Sequence, residues 1–316
     1  MGPEFGIVGK AGETRILQPP GQLDFSTIDT NHLLLSKDAT TVEGLSLDPQ
    51  HRVRFSLRER RVELDSETDT GLAPAVTEVP GLAITGWKGS LSPALNGRAL
   101  EMDHDESAHS LAVAPDGKSL VMGSDWTVRK FSADGHRIWS DATESVVWSI
   151  NIARSGEVVV PAEGDGTFRW RRLSDGVELL AVFISRDGRR WVAWTPQSYY
   201  DASAGGDDLI GWHVNNGPDH APDFSAVGQF RERFYRPDVI EHVLDSDTLD
   251  VDKALAKADE ARRRKTETVA VTQIQPPVME ILSPRGEFRT SGVAPYPDLP
   301  CPLPGSAGDG NQGANR

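Results

Sequence analysis

The chain has 316 residues, of which 38% are hydrophobic and 25% charged, and its net charge is −14 with a sequence pI near 5.0. This acidity disfavours duplex nucleic acid and anionic membranes as partners, because both are bound mainly through Lys and Arg. No apolar run reaches the ~20 residues that a transmembrane helix needs, and no signal peptide is visible. The single cysteine, Cys301, excludes an internal disulfide framework. We therefore expect a cytoplasmic protein.

The first strands are predicted after an N-terminal extension at residues 1–29. Residues 30–64 alternate between apolar and polar side chains, the period of two of half-buried strands. The arginines on the polar face are interpreted as a charged outer surface, and anion binding is the less favoured alternative. Residues 65–80 are polar and contain prolines, which predicts an exposed loop. The apolar face of the clearest strand comprises Val53, Phe55 and Leu57.

The segment MDHDESAH at residues 102–109 gathers carboxylates and two imidazoles. Such side chains bind metals, and the weak candidate ligands are Asp103, His104 and His109. A solvated loop that leads into the next strand is the favoured interpretation. We therefore predict neither a metal site nor a cofactor.

The segments 109–139 and 148–180 repeat one another. Each consists of short apolar strands that are separated by turns at Asp-Gly or Ser-Gly. Asp-Gly favours a tight hairpin, because glycine tolerates the positive φ that such turns require. The alignment rests on equivalent serines and glycines 39 residues apart, namely Ser110 with Ser149 and Gly117 with Gly156.

A period near 40 residues built from short strands is typical of β-propeller blades, which need neighbours to bury both of their faces. A third, partial unit is predicted at residues 179–195. Helical repeats are disfavoured, because the recurrent glycines would interrupt each helix. The sequence therefore predicts an all-β, WD-repeat-like β-propeller at residues 30–218, either complete or incomplete.

The segment 189–217 is rich in aromatic residues. Trp191 and Trp194 are three positions apart on a predicted strand and therefore point to opposite faces. We predict that this stretch forms the seam that closes the fold, with a recognition surface as the alternative and an active site as the least favoured interpretation. Exposed Trp and Tyr are good binding anchors. The candidate binding residues are Trp191, Trp194, Tyr199, Tyr200 and Trp212.

Helices are predicted to follow, over residues 219–268. Pro237 has the position of an early helical residue, and a second helix is expected at 249–267. Residues 269–284 are predicted to begin a further β unit. Residues 285–316 are rich in Pro and Gly, a composition that predicts a disordered tail.

Several segments are familiar in their order: SLAVAPDGKSLVMGSDWTVRKF, VVWSINIARSGEVVVPAEGDGTFRW, GRRWVAWTPQSYYDAS, DDLIGWHVNNG and PPVMEILSP. Together they resemble the WD-repeat region of bacterial caspase-family (metacaspase-like) proteins. The resemblance covers residues 45–284 and implies a propeller, then helices, then a cysteine peptidase domain. Cys301 lies between prolines without a paired histidine, so no catalytic residue is assigned and we expect the peptidase domain to be lacking.

The sequence thus predicts a non-enzymatic scaffold or sensor that binds a protein partner, like the regulatory part of a caspase-family protein. One alternative is a propeller enzyme with a site in its central channel. That alternative requires histidines or carboxylates at equivalent inward positions of the repeats, whereas Asp125 and Asp165 are predicted to lie at turns. The other alternative is a non-functional, truncated remnant of a caspase-family peptidase.

Overall fold

The computed structural model describes residues 6–8, 14–16, 32–46, 51–67, 69–214 and 223–267. The predicted β unit at 269–284, the predicted disordered tail at 285–316 and Cys301 lie outside these ranges. No helix within them is long and apolar enough to cross a membrane.

Antiparallel strands dominate the described chain, which confirms the predicted all-β class. The N-terminal sheet consists of β3 (Leu34–Leu35), β4 (Thr41–Leu45), β5 (Arg52–Ser56) and β6 (Arg61–Leu64), after a separate pair formed by β1 (Gly6–Val8) and β2 (Thr14–Ile16). A small three-stranded sheet follows, with β7 (Ile84–Thr85), β8 (Ala94–Leu95) and β9 (Arg98–Ala99).

Two larger sheets correspond to the sequence repeats. The first repeat sheet contains β10 (Ala108–Val113), β11 (Ser119–Ser124), β12 (Thr127–Ser132) and β13 (Arg137–Ala142). The second repeat sheet contains β14 (Val147–Ile152), β15 (Val158–Glu163), β16 (Thr167–Arg172), β17 (Glu178–Ile184), β18 (Trp191–Trp194) and β19 (Tyr200–Ala202). A hairpin of β20 (Gly211–Val214) and β21 (Asp223–Ala226) comes last.

The two repeat sheets share their irregularities as well as their strands. In each sheet the first strand pair shifts register at one residue, which is His109 in β10 and Trp148 in β14. An extra residue of this kind re-aims a side chain out of the regular pleat. The turn glycines Gly117 and Gly156 both have positive φ, at 66° and 75°. The repeat predicted from the sequence is therefore a repeat of backbone geometry.

The predicted third unit does not begin a sheet of its own. Strand β17 pairs with β16 on one edge and with β18 on the other, so the second repeat sheet grows to six strands. Residues 179–182 in β17 are fully buried. A buried strand with one unpaired edge would leave backbone N–H and C=O groups without partners. The extra strands satisfy that edge.

Both faces of the second repeat sheet are covered. Val159 packs with residues of the first repeat sheet, whereas Val158 and Val160 pack with the N-terminal sheet and the helices. The first repeat sheet approaches closely because Gly123 has no side chain: a Cβ atom there would lie 2.4 Å from Val147 Cγ1. Alternate residues of one strand thus belong to two different cores.

The segment 65–80 is not exposed throughout, in contrast to the prediction. Leu72 and Ala73 are buried, and Ala73 exchanges backbone hydrogen bonds of 3.0 and 2.9 Å with Leu35. The Asn151 amide donates to the carbonyls of both Leu33 and Ala73, at 2.8 and 2.9 Å. A polar composition concealed this short apolar contact, which ties the segment to the second repeat sheet.

The predicted helices are present, although the segment before them begins with β21 and a 3-10 helix at Val227–Phe230. A short α1 (Arg231–Phe234) leads to α2 (Pro237–His242), which has Pro237 in its first turn as predicted, and to α3 (Val251–Glu267). Another 3-10 helix spans Gly206–Asp208. The buried faces of α2 and α3 complete the cover of the second repeat sheet through Val239, Ile240, Val251, Ala254 and Ala258.

An ion pair joins the N-terminal sheet to β19. Arg60 lies in the turn between β5 and β6 with φ of 53°, and its Nε and Nη2 donate to the two carboxylate oxygens of Asp201, both at 2.6 Å. Asp201 is 1% exposed, whereas Arg60 is 47% exposed. The hydrogen bond to Asp201 raises the pKa of Arg60, so the guanidinium stays charged near neutral pH.

We expect Arg60→Ala to lower the free energy of unfolding by about 1–3 kcal/mol, because Asp201 would remain buried without its cation. The half-exposed position of Arg60 keeps the loss below that of a fully buried pair. The matched control is Arg58→Ala, since Arg58 pairs with Asp38 at 3.3 Å on the surface and should contribute less than about 1 kcal/mol. Urea unfolding measures both. Equal losses for the two variants would contradict the assignment.

Candidate functional site

The two tryptophans of β18 lie on opposite faces of the second repeat sheet, as predicted. Trp191 is buried against the N-terminal sheet and meets Phe55 edge to face, with ring centroids 5.0 Å apart. Trp194 is half-buried and packs instead with a separate cluster that includes Val192 and Val227. Trp191 therefore lies in a seam between sheets, and Trp194 lies toward the surface.

The adjacent Tyr199 and Tyr200 also differ in burial. Tyr200 is fully buried, its ring lies 5.4 Å from that of Tyr235, and burial raises its pKa. Tyr199 is half-buried, with its ring 6.5 Å from that of Phe234. Of the five candidate binding residues, Trp191 and Tyr200 are thus structural, and the structure places Tyr199 beside the helical segment.

Trp194 and Trp212 line one cavity of about 350 Å³, here termed the aromatic cavity. Strand β18 ends there, because the Thr195–Tyr199 turn closes with a 2.9 Å hydrogen bond from Thr195 N to Tyr199 O. Strand β20 brings Trp212 from the other side. The full lining is Trp194, Thr195, Pro196, Ser198, Ile210, Gly211, Trp212 and Val227, none of which is charged.

The rim of the aromatic cavity carries an exposed aromatic ring that the sequence analysis did not select. Phe230 is 44% exposed and meets Trp212 edge to face, with centroids 4.9 Å apart. Phe234 lies 5.2 Å from the same tryptophan. The signal was present in FRERFY at 230–235, where aromatic residues recur at helical spacing, but the connection to Trp212 depends on the tertiary structure.

A larger cavity, of about 450 Å³, lies near the Asp116-Gly117 turn and the Ser155-Gly156 turn of the repeat sheets. Its cationic side chains already have partners. Lys130 Nζ donates to the carbonyl of Leu173 at 3.0 Å, and Arg172 donates to Asp175 and to the carbonyl of Leu249. Because these two cations are already satisfied within the protein, this cavity is the weaker candidate for ligand binding.

Each repeat sheet also contains a buried glutamate that is paired with an arginine. In the first sheet, Arg129 of β12 donates to Glu106, and both are buried. Glu106 precedes β10 in the chain. It also accepts hydrogen bonds from Thr127 and, at 2.6 Å, from Ser124 Oγ. Asp103 contacts the same arginine at 2.7 Å.

The second repeat sheet also pairs a glutamate with an arginine, but its glutamate and a serine have exchanged positions relative to the first repeat. The position 39 residues after Glu106 is Ser145, and the position 39 residues after Ser124 is Glu163. Glu163 lies at the end of β15, and its Oε2 is 3.2 Å from Nε of Arg169 in β16. The alignment of the repeats contained this exchange of glutamate and serine, which sequence analysis overlooked.

The two glutamates have opposite pKa shifts. Burial raises the pKa of Glu106, but hydrogen bonds from Arg129, Ser124 and Thr127 outweigh it and hold that pKa below its ordinary value. Burial raises the pKa of Glu163 to about 7, because its oxygens accept no hydrogen bond from the described residues. The nearby Arg169 opposes this rise only in part.

Glu163→Gln should therefore stabilise the protein at high pH and change little at pH 5. Between the ordinary pKa of 4.5 and the folded value of about 7, the folded state holds a proton that the unfolded state releases, so stability falls as pH rises. At roughly 1.4 kcal/mol per pH unit, the variant should gain on the order of 2–3 kcal/mol at pH 8. Urea unfolding at pH 5 and pH 8 measures the difference.

The control for this substitution is Glu106→Gln. The pKa of Glu106 is lowered, so its ionised form stabilises the fold above the ordinary pKa, and that contribution is lost as pH falls through the folded pKa. Glu106→Gln is therefore expected to destabilise at pH 8. A stability change of the same sign in both variants would contradict the assigned pKa shifts.

The weak metal candidates are not brought together. His104 lies on the surface beside Asp105, at 2.8 Å, and Asp103 binds Arg129. His109 Nε2 pairs with Asp125 Oδ1 at 2.7 Å, and its ring lies 4.8 Å from that of Trp148 at an interplanar angle of 49°. No group of three or more His, Cys, Asp or Glu side chains that could hold a metal occurs in the described ranges.

Comparisons with known proteins give weak similarities. No protein-family model matches the chain, and no curated protein does. The structure is similar to the crystal structure of the computationally designed Ika8 protein, with 18% identity and a TM-score of 0.29 over 53% of this chain and 58% of that one. It is also similar to BamB from Moraxella catarrhalis, with 13% identity and a TM-score of 0.28 over 38% of this chain and 44% of that one.

The chain thus spans about half the length of these two proteins, at 58% and 44%. Similarities of this size assign neither a family nor an activity. The resemblance to the WD-repeat region of caspase-family proteins stays a prediction.

Proposed function

We propose that this protein is a non-enzymatic interaction module that binds a protein partner through the aromatic cavity. The observation that carries the proposal is the uncharged cavity of about 350 Å³ between Trp194 and Trp212. Ligand sites are commonly concave, mostly apolar and of about 300–1,000 Å³. Trp and Tyr are also enriched among the residues that dominate binding energies at protein interfaces.

The frame around the cavity supports this role. Trp194 lies at the end of a strand whose neighbours β17 and β19 both pair with it, and Trp212 is packed against two phenylalanines. A binding side chain on a rigid element loses little conformational freedom when a partner docks. Phe230 extends the apolar surface beyond the cavity, which suits a macromolecular partner.

In this proposal the sheets are blades of a WD-repeat-like β-propeller. Its support is the repeated bulge at His109 and Trp148, together with the face-to-face packing of successive sheets. The N-terminal sheet packs against the second repeat sheet, as a first blade does against a last one in a ring. The resemblance to caspase-family proteins supports a regulatory role for such a propeller beside an effector.

The lining of the cavity favours binding over catalysis. It contains no ionisable side chain, so it offers no general acid or base. The net charge of −14 favours a partner other than nucleic acid or an anionic membrane. The proposal needs no metal and no cofactor.

Photo-crosslinking tests the proposal. With p-benzoylphenylalanine in place of Phe230, irradiation in a lysate of the expressing cells should give a crosslinked species of discrete mass, because this rim position faces the partner. Adding Trp194→Ala should remove that species. The control carries the same probe in place of Trp126, which is 49% exposed in the turn between β11 and β12. A pattern that is equal at both positions, or unaffected by Trp194→Ala, would count against the cavity.

A further inference from the structure

We propose that the aromatic cavity binds an uncharged, proline-rich segment in the polyproline II conformation. This inference rests on the proposed function and adds the chemical class of the ligand. It follows from three properties of the cavity: the absence of charge in its lining, the pairing of two tryptophans, and the state of their indole N–H groups.

The first property sets the charge of the ligand. One residue in four of the chain is charged, yet all eight lining residues are neutral. A charged side chain placed in such a lining would lose water without gaining an ionic partner, which is costly. The nearby Arg231 and Asp207 are already paired with each other at 2.8 Å. The ligand is therefore expected to be neutral where it enters.

The second and third properties set the shape and polarity of the ligand. The indole N–H groups of Trp139 and Trp170 donate to backbone carbonyls, at 3.1 and 2.7 Å. Those of Trp194 and Trp212 donate no hydrogen bond within the part of the chain that the structure describes. The lining thus contains two half-buried tryptophan rings, and their indole N–H groups have no partner within that part of the chain. A ligand that matches them carries apolar rings and hydrogen-bond acceptors but does not need to be charged.

A polyproline II segment has these features. Its carbonyls make no internal hydrogen bonds and remain available as acceptors, and its pyrrolidine rings pack on aromatic side chains. Because it is already extended in solution, it loses little entropy on binding, and aromatic-lined grooves are the usual sites for such segments. Three residues of this helix extend about 9 Å. We expect a stretch of about this length to enter the cavity of about 350 Å³.

The test uses two capped, uncharged peptides, acetyl-(Pro)8-amide and acetyl-(Gly-Ser)4-amide. Binding is followed in the full chain by the indole N–H signals of the eight tryptophans in ¹H–¹⁵N spectra. The proline peptide should shift the signals of Trp194 and Trp212 and leave those of Trp126 and Trp191 unchanged. The Gly-Ser peptide should shift none. This readout on the unaltered protein does not depend on whether a variant folds.

Variants then locate the site. Trp194→Ala and Trp212→Leu should each weaken binding of the proline peptide by about tenfold or more, the size expected for a central aromatic anchor. Trp126→Ala is the matched control and should change it less than twofold. Because the lining is neutral, affinity should be the same in 50 and 500 mM NaCl, whereas an ion-driven contact would weaken.

The inference is overturned if the proline peptide shifts no indole signal at millimolar concentration, or if the Gly-Ser peptide shifts the same signals equally. It is also overturned if Trp126→Ala weakens binding as much as Trp194→Ala does. If the proline peptide fails while the crosslink at Phe230 still forms and still depends on Trp194, the ligand class is wrong and the proposed function stands. Failure of both experiments removes the cavity as a binding site.

Discussion

The described fold is organised by the second repeat sheet, because both of its faces are apolar and each needs a covering layer. Alternate residues of β15 belong to two different cores, so no single neighbouring sheet can bury them all. The first repeat sheet covers one face, and the N-terminal sheet covers the other together with α2 and α3. The chain must therefore bring residues near 33–57 back to those near 150–193. Two sets of polar contacts join these parts of the chain. They are the hydrogen bonds from Asn151 to Leu33 and Ala73 and the ion pair between Arg60 and Asp201.

The polar interior shows how the same packing can arise from different residues. Both repeats place an arginine of the third strand beside a buried glutamate, since a buried charge without a partner is expensive. One repeat supplies the glutamate from the loop before its first strand through Glu106, and the other from its second strand through Glu163. The arrangements are not equivalent in energy. Glu106 accepts hydrogen bonds from three side chains, whereas the carboxylate of Glu163 accepts none from the described residues. The pKa of Glu163 is accordingly raised to about 7.

The aromatic residues of the segment 189–217 have two different roles in the fold. Trp191 and Tyr200 stabilise contacts between elements, while Trp194 and Trp212 remain half-buried around a cavity. The division follows from strand geometry, which sends Trp191 and Trp194 to opposite faces. The surface left over after the core is complete is where binding can occur. The lining of the cavity is also neutral, whereas the chain as a whole carries a net charge of −14.

The sequence by itself determined the all-β class, the repeat of about 40 residues, the turn glycines and the start of α2 at Pro237. These features depend on local periodicity and on the backbone preferences of single residues, which are independent of distant contacts. Only the tertiary structure decided that β17 to β19 extend an existing sheet, that Leu72 and Ala73 are buried, and that Trp194 and Trp212 line one cavity with Phe230 packed against Trp212. Those outcomes require knowing which surfaces cover one another across more than a hundred residues. Hydrophobic burial is non-directional. The local pattern therefore shows that a face must be covered, but it does not show which element covers it.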